Sequence, residues 1–348
     1  MPQVTRNNHF VPQAYLRRWA DESECVYRYR LLVSHKQVPL WTKTAVRGLA
    51  SRPHLYTLLE DDEDVDAFER WFEQEFETPA QDAIDKAVSG ARLRRPDWER
   101  LVLYCLAQDL RTPRTYHRVT SLFGDKLGGV LEDVAQRLKR DAEAGVLPSR
   151  VAAAANSQPD SMADVMRVSI DPDAYPERDE GQIAVRALAG RRLWLNEVKR
   201  LISGQVRSVA LGHEWSIVEP AEGSTWVTSD HPVVRLNYYG SDGTYDLDGG
   251  WGRRNGNIVM PLSPRHMLYT QVGDRRPRRF TFNRDLTALF RKVQVESALD
   301  DVFADSPSRD VVAFRRRTVD ADVFTQREKA WATWHEEQNR AESEFRAT

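Results

Sequence analysis

Hydrophobic periodicity divides the chain into three stretches. In the first, CVYRYRLL (Cys25–Leu32) alternates with the two-residue period of a half-buried strand, and HKQVPLWTK suits the returning arm of a hairpin. A short helix around Gln13–Trp19 precedes them. From about residue 62 the period lengthens. Phe68, Trp71, Phe72 and Phe76 recur at three- and four-residue spacing, and Trp98, Leu101, Val102 and Cys105 repeat the pattern, which predicts two amphipathic helices. A third helix is expected over Leu122–Ala144, ending at Gly145. Pro148–Pro176 reads as a connection, and a long helix follows around Gly181–Leu211. Beyond His213 the period returns to two: EWSIVEP, STWVTS, VVRLNYY, NIVMPL and HMLYTQV are short strands separated by turns such as YGSDG and DLDGGWG. A charged helix carrying Phe324, Trp331 and Trp334 closes the chain from Val319.

This order predicts an α+β fold in which a helical middle (62–212) packs on a sheet formed by the N-terminal (1–60) and C-terminal (213–318) β-rich parts. The expected organisation is one domain over 1–318 and a C-terminal helix over 319–348. The 348 residues are 41% hydrophobic and 29% charged, which excludes collagen, coiled-coil-only and wholly disordered classes. Cys25 and Cys105 are the only cysteines, too few for a disulfide framework or a cysteine zinc site, and they suit a reducing compartment. The first twenty residues lack the apolar core of a secretory signal, and no window approaches ~20 consecutive apolar residues, so a cytoplasmic protein without a membrane partner is expected.

The net charge of −2 hides an uneven distribution. Residues 61–90 hold eleven acidic side chains against two basic ones, whereas 250–318 hold fourteen basic against seven acidic. The Arg-rich 275–317 region (Arg275, Arg276, Arg278, Arg279, Arg315, Arg316 and Arg317 among others) would attract a nucleic acid or nucleotide, or else form a solvated face.

Three segments carry candidate chemistry. In NNHFVPQAYLRRWA, His9 has the neutral-range pKa of a general acid or base, and equally suits a capping or packed role. In LAQDLRTP, Gln108 continues the stripe of Leu101 and Cys105 and Arg111 follows three residues later, so both point to the packed face. A buried Arg must find a carboxylate or an anion. In STWVTSDHP, a strand runs into the turn Ser229-Asp230-His231-Pro232, where Asp230 is able to bond its own backbone or to hold a metal. No P-loop, Gly-x-Gly-x-x-Gly or His-Glu-x-x-His is present, so no nucleotide cofactor is indicated.

Taken in order, these segments resemble the family called domain of unknown function 4238. The resemblance rests on His9-Phe10-Val11-Pro12 with Tyr15-Leu16, on Leu55-Tyr56, on Gln108-x-x-Arg111-Thr112-Pro113, on Ser229-Asp230-x-Pro232 and on Pro261-Leu-Ser-Pro264. His231 stands where the family pattern has Asn. The resemblance implies that His9, Tyr15, Gln108, Arg111, Ser229 and Asp230 recur together, and convergence in one anion-binding pocket is expected.

The reading that follows is a hydrolase of a phosphate-bearing substrate, a nuclease or nucleotide hydrolase. His9 would be the acid/base, Arg111 the phosphate clamp, Gln108 an orienting group and Asp230 a second carboxylate or ligand for a divalent metal, with Tyr15 and Ser229 on the substrate. A single carboxylate in the set argues against a two-metal site. The alternative is a non-catalytic module for an anionic ligand or partner, its polar cluster a binding or structural network.

Overall fold

The computed structural model describes residues 7–60, 63–144, 165–175, 180–239 and 244–347. The fold is α+β, and its contacts divide the chain into two units. Unit 1 combines residues 1–57, 66–115 and 201–335, and unit 2 combines 58–65, 116–200 and 336–348. Among the described residues no helix is long and apolar enough to cross a membrane.

Two main sheets build unit 1, beside two short pairs, the first strand Asn7–His9 with Ser51–Pro53 and Leu32–Val33 with Thr318–Val319. The larger has six strands in the order Thr244–Asp246, Val234–Tyr239, Asn257–Ser263, His266–Gln271, Ser216–Glu219 and Arg279–Thr281, antiparallel except for the last pair. Val234, Leu236, Val259, Met267 and Tyr269 pack on Phe290 and Val293 of the helix Arg284–Ser297. The smaller sheet runs Thr228–Ser229, Asp301–Ala304, Cys25–Arg30, Thr42–Ala45, all antiparallel. Strands from both β-rich parts of the sequence therefore share one sheet, as the periodicity implied. Its register sets Asp301 opposite Arg30 and Phe303 opposite Arg28.

The helix Arg95–Leu110 starts with Pro96, whose missing N–H costs nothing in the first turn, and the Asp97 carboxylate accepts the backbone N–H of Arg94 at 2.8 Å. Every residue from Tyr104 to Leu110 is buried. The polar side of the helix is thus enclosed along with the apolar one, and each polar group on it needs a partner.

Several elements depart from the expectation. The helix expected from Leu122 begins at Pro113, a residue suited to a first turn, and runs to Glu143. Gly145 lies outside the described residues. Met166–Tyr175 and Glu180–Ala187 form an antiparallel hairpin where the end of a connection and the start of a helix were expected. Alternating Val168, Ile170, Ile183 and Val185 explain it, since β-branched side chains favour the pleated surface. Residues 148–164 and 176 of the expected connection lie outside the described ones. The long helix is two helices, Arg191–Ser203 and Gln205–Leu211, broken at extended Gly204. Arg284–Ser297 is a helix within the expected β-rich part, its start marked by Asn283, which accepts the N–H of Leu286 at 2.9 Å. The last helix spans Ala321–Ala347.

In unit 2, Val165, Leu188 and Leu193 pack with Val119, Phe123 and Phe345. Beside them Arg191 is fully buried, held by the Glu342 carboxylate at 3.0 Å and by Asn339 Oδ1 at 2.8 Å. Gly190 leaves room for this arrangement. A Cβ there would lie 2.6 Å from Gln338 Oε1, the oxygen that accepts the Arg191 N–H. Replacing Glu342 by Ala removes the buried carboxylate that Arg191 holds at 3.0 Å. The expected cost is about 3–5 kcal/mol, read as faster amide exchange across unit 2 with unit 1 unaffected.

Candidate functional site

The Arg111 guanidinium lies in the core of unit 1, 1% exposed. Its Nη1 donates to Glu77, its Nη2 to the His9 carbonyl at 2.5 Å, and Glu69 Oε2 is 3.6 Å from Nη2. The rings of Phe72 and Tyr56 lie 4.9 and 5.3 Å from the guanidinium carbon. A π-helical turn over Glu73–Glu77 delivers the second glutamate. On a regular helix, Glu69 and Glu77 would sit about 80° apart around the axis. The wider turn closes that offset and aims both carboxylates at one cation.

The sequence motifs are to a large degree one another's partners. Asn8 Oδ1 accepts the Tyr56 N–H at 3.2 Å, and the Tyr56 hydroxyl donates to the Arg111 carbonyl at 2.6 Å. Tyr15 donates to the Pro261 carbonyl at 2.6 Å and shares a hydrogen bond with Thr228 Oγ1. Thr112 Oγ1 meets His231 Nδ1 at 2.7 Å, and burial pushes His231 down to about 4, so it is neutral. His231 thus joins the Gln108–Pro113 motif to the Ser229–Pro232 motif. His9 is held at both ring nitrogens, Nδ1 by the Leu49 carbonyl at 3.1 Å and Nε2 by the Gln13 amide at 2.9 Å. Burial, offset by the Leu49 contact, lowers its pKa.

The expected convergence of all six residues in one pocket is replaced by several small clusters. Ser229 Oγ accepts the His231 N–H and the Gln294 amide, so the serine, rather than Asp230, closes the turn. Gln108 is fully buried, and neither end of its amide has a partner among the described residues. Asp109, next to it, holds Arg235 at 3.1 Å and the Trp251 indole N–H at 3.0 Å. The Arg-rich region is also largely engaged. Arg279 donates to the carbonyls of Ala87 and Ala91, Arg315 to those of Glu296 and Ala298, and Arg317 to those of Val38 and Pro39.

Asp230 opens on different surroundings. Its carboxylate accepts backbone N–H groups from Leu299 (2.8 Å), Asp300 (2.5 Å) and Asp301 (3.1 Å), which fixes the entry of the Asp301–Ala304 strand. Together with Asp300, Asp301 and Glu328 it borders a cavity of about 220 Å³ that also meets Phe10, Ser51 and four arginines, Arg28, Arg30, Arg52 and Arg327. Arg28 grips Asp301 with two 2.7 Å bonds, and Asp300 pairs with Arg327 and with Arg52 at 3.5 Å. Arg30 forms no hydrogen bond or ion pair among the described residues, and burial and Arg28 lower its pKa. Burial and the neighbouring carboxylates push Asp230 up to about 7, against the pull of the backbone donors, and Asp300 is raised with it. The three carboxylates do not converge on one point, and among the described residues no cluster of acidic, His or Cys groups is arranged to hold a metal. On the rim, Ala50 takes a left-handed backbone (φ 47°), and its carbonyl accepts the N–H groups of Phe10 and Val11.

Sequence reasoning found Asp230 and missed its company. Arg28 and Arg30 share a face of a strand at period two, and Asp300-Asp301 mark the start of a strand of four buried residues, Asp301–Ala304. Both signals are local, but only the long-range pairing shows that they meet.

An α+β protein with a motif-built core and a charged cavity at one motif is what these observations define. The chain belongs to the family described as protein of unknown function (DUF4238), whose model matches residues 7–308. No curated protein and no solved structure matches it.

Two outcomes follow from this geometry. Arg111→Ala leaves Glu69 and Glu77 without their cation, at an expected cost of about 3–5 kcal/mol in urea unfolding. Asp230 carries a pKa raised above its unfolded value, so ionising it costs the folded state. Stability is therefore expected to fall as pH rises from about 4 to about 7 and to level off above. The unfolding free energy of wild type relative to Asp230→Asn, measured across that window, is expected to decline.

Proposed function

We propose that the protein hydrolyses a phosphate-bearing substrate at the Asp230 cavity, with the carboxyl pair Asp230–Asp300 as proton donor and Arg30 as the principal anion contact. The feature that carries this reading is the buried Asp230 carboxyl, its pKa pushed up to about 7, on the same cavity as Arg30, a guanidinium that faces Asp301 and Glu328 at longer range and forms no hydrogen bond or ion pair among the described residues. Neighbouring acids, here the buried Asp230 and the half-buried Asp300, resist ionising together, so the protonation of one depends on the other. Asp300 keeps 19% of its side chain exposed and is the member that reaches substrate.

In the reaction, Arg30 donates hydrogen bonds to the phosphoryl oxygens, and water attacks phosphorus. The phosphorus–oxygen bond to the leaving group breaks. The leaving oxygen takes the proton of the carboxyl pair, and the proton released by the attacking water restores it. His9 and Arg111 act at one remove. The bond from Arg111 to the His9 carbonyl fixes the strand end that presents Phe10 to the cavity.

The test is release of phosphate from p-nitrophenyl phosphate, nucleoside triphosphates and short RNA and DNA strands, with and without magnesium. Asp300→Asn is expected to lower kcat by roughly 10²–10⁴, with Arg30→Ala acting mainly on KM. Activity should decline as pH rises through about 7, because the donor is the protonated form. If no substrate is turned over while inorganic phosphate binds saturably and Arg30→Ala abolishes that binding, the cavity belongs to a non-catalytic anion-binding module. If neither turnover nor binding is found, the polar cluster is structural.

A further inference from the structure

A second, larger cleft lies elsewhere in unit 1. It measures about 920 Å³, within the range of small-molecule sites. Its walls come from the loop after the helix Thr78–Val88, the first turns of Arg95–Leu110, the end of Gln205–Leu211 and the segment leading into Arg279–Thr281.

Trp98 provides a partly exposed indole in this cleft, and the Arg278 guanidinium lies over one face of its ring, 5.0 Å from the centroid. Arg278 also donates to Glu214 at 2.8 Å and to the Trp215 carbonyl at 3.0 Å, so indole and guanidinium together offer a stacked planar surface. The two acidic groups of the lining are already neutralised, Glu214 by Arg278 and Glu99 by Arg95 at 2.8 Å. Arg92 is different: it is exposed and has no hydrogen bond or ion pair among the described residues. It also borders a hollow of about 430 Å³ lined by Lys86, Arg94, Pro96 and Asp97, in which Lys86 is paired with Asp82 and Asp97, so that Arg92 and Arg94 supply the excess positive charge. A ring-stacking surface therefore continues past Arg92 into a cationic recess.

We propose that this cleft binds a nucleotide unit, the base stacked at Trp98 and the phosphate held at Arg92. The shape asks for a planar ring and an anion on one ligand, and the charge excess at the recess is positive. The site is separate from the Asp230 cavity and owes nothing to its chemistry.

Calorimetric titration with AMP, adenosine, ribose 5-phosphate and a hexameric oligoadenylate tests the assignment. Saturable binding of AMP is expected, much weakened when either the base or the phosphate is absent. Loss of one stacked base corresponds to about 5- to 150-fold in affinity for Trp98→Ala. Arg92→Ala, on an exposed side chain, should weaken AMP but not adenosine and flatten the salt dependence. Should Trp98→Ala melt early, the Arg92 variant and the indole resonance of Trp98 in the titrated wild type carry the test. Tighter, Trp98-dependent binding of the hexamer makes a single strand, rather than a free nucleotide, the source of the unit. Equal binding of ribose 5-phosphate and AMP, affinities unmoved by both substitutions, or no saturable binding overturns the proposal. Calorimetry reads binding without turnover, so absence of hydrolysis at the Asp230 cavity leaves this result independent.

Discussion

A guanidinium enclosed in protein has to be neutralised where it stands, and Arg111 imposes that demand on unit 1. Meeting it recruits Glu69 and Glu77 from one helical segment, the carbonyl of His9 from the first strand and the rings of Tyr56 and Phe72. The π-helical turn at Glu73–Glu77 makes sense in these terms, since it brings a second carboxylate to a cation that one would leave under-neutralised. The acidic run at 61–90 thus has an internal purpose for two of its members.

Much of the architecture was legible in the sequence. Strand period, helix period and the return to period two gave the α+β class and the sharing of a sheet by both chain ends. The misread elements have physical causes. Met166–Tyr175 carries Asp and Pro among its β-branched residues, which hid its alternation, and Gly204 breaks a helix whose apolar stripe continues on either side. In the Arg284–Ser297 helix the start signal was the Asn283 cap, a single residue inside a stretch dominated by strands.

The polar candidates were recognised as residues but not as neighbours. Gln108 and Arg111 were placed on the packed side by their spacing, and both are buried. What spacing cannot supply is the identity of distant partners: Tyr15 with Pro261, Thr112 with His231, Asp230 with the amides of 299–301. Arginine content was also a poor guide to surface charge. Arg279, Arg315 and Arg317 act as donors to carbonyl groups left over at helix and loop ends, the use that a five-donor fork serves well.

The bidentate contact between Arg28 and Asp301 joins residues 273 positions apart in the chain. During synthesis at roughly 5–20 residues per second, the strand Cys25–Arg30 leaves the ribosome on the order of 15–55 s before its central partner exists. Over that interval Cys25–Arg30 has only Thr42–Ala45 to pair with, and the edge that will take Asp301–Ala304 has no partner. The nascent chain therefore carries an open β edge for most of its elongation, and the last third of the protein is what retires it.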